Sequence, residues 1–205
     1  MNSGTVISSS VIGNGHSVSG TDYTNNIGGL IAHLKSGDVD NCFVLLGDGS
    51  VKGGVDSVGG LIGLCGDDES SCSVSNCSFS GHVSVGEDVY YVGGLIGEIY
   101  DGSVVNSSVS GSVSGGASVD SVGGLIGWIE NNGKIENCSI HLDGDVTSGG
   151  TSSHTSYLGG FIGYMKSGTV ISSSVIGNDH SVSGSGETDY VGGFIGHMNS
   201  GTVIS

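Results

Sequence analysis

A Gly-Gly pair, preceded by an apolar residue and followed by Leu or Phe and then Ile, returns at Gly28, Gly59, Gly93, Gly123, Gly159 and Gly192. The spacings are 31, 34, 30, 36 and 33 residues. A second block follows each pair, reading Asp101-Gly102-Ser103-Val104-Val105-Asn106-Ser107-Ser108-Val109 in one copy. Its Asn or Ser column runs Ser8, Asn41, Asn76, Asn106, Asn137, Ser172, Ser205, again about 33 residues apart. Two independent markers report one period, so the chain is a tandem array and each repeat is one supersecondary unit.

Composition decides what the unit is made of. Of 205 residues 42 are Gly and none is Pro, which excludes collagen, whose triple helix needs both in a three-residue period. An apolar fraction of 36% is too high for a solvated coil, and Gly, Ser and β-branched residues disfavour helix. Short strands punctuated by Gly, Ser, Asn and Asp are what remains. One 33-residue unit cannot bury its own apolar face, whereas stacked units can, with equivalent strands about 4.8 Å apart. The expected fold is all-β: a parallel β-solenoid of about six coils, one array over residues 1–205.

The columns separate inside from outside. Val6, Val39, Val74, Val104, Ile135, Val170 and Val203 never become polar, and neither do Val11, Val44, Phe79, Val109, Ile140 and Val175. Both sets are assigned inward. They lie five apart, an odd number, so strict alternation must break between them, and the break falls at Asn41, Asn76, Asn106 and Asn137. Asn suits a corner there because it tolerates the left-handed conformation, and stacked amides can bond along the column. Asn76, Asn106 and Asn137 also begin Asn-x-Ser glycosylation patterns, which would require the corner to face outward. Carried through Gly-Gly-Leu-Ile-Gly, alternation points Leu95, Gly97 and Ile99 inward and Ile96 outward. The column Ile31, Ile62, Ile96, Ile126, Ile162, Ile195 then forms an apolar ladder in need of a cover, either the variable loop of each repeat or a lateral partner. Beside it runs His33, Leu64, Glu98, Trp128, Tyr164, His197.

The blocks at 27–32, 58–63, 92–97, 122–127, 158–163 and 191–196, typified by Val-Gly-Gly-Leu-Ile-Gly, resemble the GLUG-motif repeat, with Phe161 and Phe194 in place of Leu and Ala32 in place of the last Gly. The resemblance implies a large secreted or surface-attached protein of adhesin type. It also implies extracellular or cell-surface location. That family includes some peptidases, but no peptidase motif accompanies the repeats here.

Residues 3–20 and 167–184 differ only at Gly15 and Asp179, and Met1–Ser8 recurs as Met198–Ser205. The chain is therefore either a window of a longer array with a 197-residue super-period or a protomer whose two ends imitate one another. The start lacks the basic and apolar segments of a secretory signal, which carries no weight if Met1 is an interior residue.

A net charge of -16 repels phosphate backbones and anionic lipid, so nucleic acid is not an expected partner, and no apolar run is long enough for a spanning helix. Five Cys cannot all pair internally. Cys42, Cys77 and Cys138 share one inward column and are read as packing. Cys65 and Cys72, seven apart, could close a local disulfide in an oxidising compartment. No zinc spacing, nucleophile elbow or phosphate loop is present, so catalysis is not expected. No cofactor is expected either, beyond weak, adventitious calcium at acidic loops.

Two functions compete. In the first the chain is a structural fibre or surface stalk, joined to like chains head to tail or laterally. In the second it binds a host surface protein or glycan through Trp128, Tyr164 and neighbouring loops. Ice binding ranks below both, because no Thr-x-Thr column repeats.

Overall fold

The computed structural model describes residues 1–21, 23–150 and 156–205. It is a parallel β-solenoid of about six turns, without helix among the described residues, and all pairings between its named strands are parallel. Each turn contributes strands to four faces. In the third turn these are Cys72–Ser75, Ser78–Ser84, Tyr91–Gly93 and Ile96–Ile99. Equivalent strands stack in order along the axis, seven deep on the first face and six deep on the third and fourth. Among the described residues no helix is long and apolar enough to cross a membrane.

The Val columns form the centre of the pile. Val39, Val74, Val104, Ile135 and Val170 pair in register and are buried, as are Val44, Phe79, Val109 and Ile140. The alternation between the two columns breaks at the corner: Asn41, Asn76, Asn106 and Asn137 hold φ between 51° and 54°, with Ser8 at 49° and Ser172 at 46°. Asn and Ser offer the short polar side chain that this left-handed region tolerates better than bulkier residues.

Just inside the corner, the small residues Ser9, Cys42, Cys77, Ser107, Cys138 and Ser173 form a relay. The Ser107 hydroxyl donates to the Val105 carbonyl at 2.9 Å while accepting from the Cys77 N–H at 3.1 Å. Ser173 repeats this with the Ile171 carbonyl and the Cys138 N–H, at 2.8 and 3.1 Å. Cys77 donates to the Ser75 carbonyl at 3.0 Å, and burial pushes its thiol up to about 11. Thiol and hydroxyl share this column because each is small and each can donate. The column is a bonding position as well as a packing one.

The Ile column is not an outward ladder. Ile62, Ile96, Ile126 and Ile162 are as completely buried as Leu61, Leu95, Leu125 and Phe161 beside them, and only the end copies Ile31 and Ile195 are partly exposed. The strand does not run through the motif. It stops at Gly93 and restarts at Ile96, so the parity is reset between Leu95 and Ile96. The Leu125 carbonyl accepts from both Leu95 N–H (2.9 Å) and Ile96 N–H (3.1 Å), which is how two successive residues oppose one on the next turn. Neither a covering loop nor a lateral partner is needed.

Glycine makes that bend. A Cβ on Gly93 would lie 1.9 Å from the Ile96 carbonyl oxygen, and one on Gly94 would lie 2.0 Å from the Gly124 oxygen. The third motif glycine brings the fourth face onto the backbone of the third: a Cβ on Gly97 would be 2.6 Å from Val58 N, and one on Gly127 2.6 Å from Val92 N. Each such glycine meets the preceding turn. Ala32 occupies this position in the first turn, is exposed, and has no preceding strand against it in this structure.

Candidate functional site: an aromatic spine over buried carboxylates

Close approach of the third and fourth faces brings two side-chain columns together at their shared edge. One is the residue before the apolar-Gly-Gly bend: Asn26, Ser57, Tyr91, Ser121, Tyr157, Tyr190. The other is the third residue of the fourth-face strand: His33, Leu64, Glu98, Trp128, Tyr164, His197. In the upper turns their rings interleave into one spine. Trp128 stacks on Tyr164 with centroids 3.9 Å apart and planes 17° from parallel, and Tyr164 stacks on His197 at 5.3 Å and 4°. Tyr91 covers the Trp128 ring at 4.8 Å, while Tyr157 packs against Tyr164 at 4.8 Å and Tyr190 at 5.3 Å. Offset and tilted pairs of this kind contribute about 0.5–1.5 kcal/mol each beyond burial.

The sequence singled out Trp128 and Tyr164, which the fold places at the middle of this spine. It missed Tyr91, Tyr157 and Tyr190, which stand two residues ahead of the first glycine of their motifs. Their signal was a column with three Tyr in six turns. The geometry changes what Trp128 and Tyr164 can do, since their faces are occupied by other rings and mainly their edges meet solvent. Tyr90, 51% exposed and 6.1 Å from Tyr91, and Tyr190, 43% exposed, are the spine's most open rings.

At the lower end of the spine carboxylates gather: Glu98 stands in the second column, and Asp56 and Glu130 lie close enough to add their fields to its site. Glu98 is mostly buried, and the Ser57 hydroxyl donates to its Oε2 at 3.0 Å. Burial pushes its carboxyl up to about 7, and the negative fields of Asp56 and Glu130 add to this against the Ser57 bond. Asp56 is raised for the same first reason, with His33 and Ser57 opposing. Glu130 behaves differently: burial works to raise it, but Lys166 and the Trp128 Nε1–H, 2.9 Å away, together hold it below its ordinary value. Burial also raises the Tyr91 hydroxyl, with Glu98 and Asp120 adding to it. Among the described residues no group of three or more His, Cys, Asp or Glu could hold a metal ion.

The remaining residues drawn from the sequence lie apart from the spine. Cys65 and Cys72 are joined in a disulfide that closes the acidic loop 66–71, whose Asp67 pairs with Lys35 at 2.8 Å. Asn41, Asn76, Asn106 and Asn137 project into solvent at the corner. They do not make a continuous amide ladder: Asn106 reaches Asn76 at 3.4 Å, but Asn76 donates to Asp40 at 2.8 Å and Asn41 to Ser8 at 3.0 Å.

The GLUG motif is matched at two adjacent repeats, residues 88–114 and 120–147. Halomucin of Haloquadratum walsbyi (strain DSM 16790 / HBSQ001) is 32% identical over 167 residues, covering 78% of this chain. The chain spans only 2% of the length of that relative. No solved structure matches.

Proposed function

We propose, from the premise that this is a GLUG-repeat chain, that it serves as a structural segment of an extracellular or cell-surface protein, a rod extended by stacking like coils. One observation carries the reading. Residues 3–20 and 167–184 occupy the first and the sixth turns with nearly the same sequence and a closely similar backbone: φ is 49° at Ser8 and 46° at Ser172, and 46° at both Asn14 and Asn178, the two copies parting at Gly15, with φ 87°, where Asp179 lies outside the positive-φ region. Both small turns close on the same hydrogen bond, His16 N–H to the Gly13 carbonyl at 2.9 Å and His180 N–H to the Gly177 carbonyl at 2.7 Å. A turn that can stand at either level is a turn that can be added without limit, which is what a spacer or fibre requires. The similarity to Halomucin over 78% of the chain supports a place in a much longer repetitive protein. The charge of -16 would keep neighbouring rods apart and in solution.

Electron microscopy of the purified chain tests the proposal. Filaments of constant width, one solenoid across, are expected. Persistent single particles that bind host protein or glycan arrays would replace it with the second reading, recognition by the exposed rings Tyr90 and Tyr190 at the margin of the spine.

A further inference from the structure

All three Asn-x-Ser sequences of the chain, at Asn76, Asn106 and Asn137, fall in one corner column on three consecutive turns. The fold turns that column outward. Each of the three Asn residues is exposed, while the residue after it, Cys77, Ser107 or Cys138, is buried in the relay described above. An attached sugar would therefore project into solvent without disturbing the core, which is the condition a glycosylated asparagine must meet once the chain has folded.

We infer that this corner is an N-glycosylation site, with Asn137 the first position filled and Asn76 the second. The inference rests on the extracellular reading, since the modification belongs to a secretory route. The donor would be a lipid-linked oligosaccharide diphosphate. The Asn Nδ2 forms a bond to C1 of the sugar, the C1–O bond to the diphosphate breaks, the lipid diphosphate departs, and the amide proton passes to a base of the transferase.

The ranking follows from the bonds each amide makes. Asn76 Nδ2 donates to Asp40 Oδ1 at 2.8 Å, and Asn106 Nδ2 to Asn76 Oδ1 at 3.4 Å, whereas the Asn137 side chain makes no hydrogen bond among the described residues. Conjugation at Asn137 disturbs nothing. Stacking supplies the second rule. Neighbouring turns are about 4.8 Å apart, less than the width of a pyranose ring with its substituents, so adjacent corners cannot both carry one. Asn76 and Asn137 are two turns apart and can. Asn106 lies between them and is excluded whenever either is filled.

The test is to secrete the full chain from a eukaryotic cell line behind an added leader and to measure intact mass before and after peptide-N-glycosidase F. The expected product carries one or two glycans, always including Asn137. Ser139→Ala, which keeps the corner Asn and its left-handed backbone, should remove that glycan and allow Asn106 to be filled in chains bare at Asn76. A secreted chain bare at all three positions would overturn the site. Three glycans on one chain, or Asn106 filled beside Asn137, would overturn the stacking rule. Because the leader is supplied, a bare chain leaves the extracellular reading standing. That reading fails separately if antibody raised to the chain labels neither the surface nor the medium of the source cells.

Discussion

Glu98→Gln should stabilise the solenoid, and by an amount that grows with pH. In the unfolded chain this carboxyl titrates near 4.5, and in the folded chain near 7, because burial beside Ser57 penalises the charged form and Asp56 and Glu130 reinforce the penalty. The folded state therefore holds the proton more tightly than the unfolded state. Its contribution to stability is intact below pH 4.5, declines as pH rises, and is lost above pH 7. At about 1.4 kcal/mol per tenfold change in proton affinity, the interval amounts to about 3 kcal/mol. Gln keeps an acceptor for the Ser57 hydroxyl and cannot ionise. The variant should match the parent at pH 4 and exceed it by about 3 kcal/mol at pH 8, or about 6–12 °C in Tm for a chain of this size. Thermal unfolding of both proteins followed by circular dichroism from pH 4 to pH 8 measures the divergence. Superimposable profiles would refute the assignment of Glu98 to a desolvated site.

Two further substitutions probe the backbone. Gly97→Ala places a methyl 2.6 Å from Val58 N, a backbone atom that cannot step aside, and should cost at least about 3 kcal/mol in denaturant unfolding, whereas Ala32→Gly at the equivalent exposed position should change stability by no more than about 1 kcal/mol. Ser107→Ala strands the buried Cys77 N–H and should cost about 1–3 kcal/mol, while Ser107→Cys should stay within about 1 kcal/mol of the parent; equal losses for the two would remove the relay from the account.

The architecture was legible because its evidence is redundant across turns. Seven Val or Ile residues in one column cannot all be accidental, and Asn41, Asn76, Asn106 and Asn137 marked the corner through a conformational preference that holds in any context. The Ile column was misassigned because alternation was continued through Gly93-Gly94-Leu95, where the strand in fact ends and begins again. A parity rule holds only as long as the strand does, and the glycines that end it leave no side chain to show the change. The spine was half seen for a related reason. Trp128 and Tyr164 stood in a recognised strand, whereas Tyr91 and Tyr157 come from a second strand, and only the close backbone approach permitted by Gly127 and Gly163 puts the two columns side by side.

The interchangeable first and sixth turns bear on how a gene for such a protein can change. Each turn touches only the turns above and below, so the contacts at any junction are of the same kind whichever copies meet there. A recombination event between the stretches encoding 3–20 and 167–184 would delete or duplicate the intervening block while leaving no seam in the folded product. Whole blocks could be lost or gained in this way while every remaining turn keeps a neighbour of the same kind.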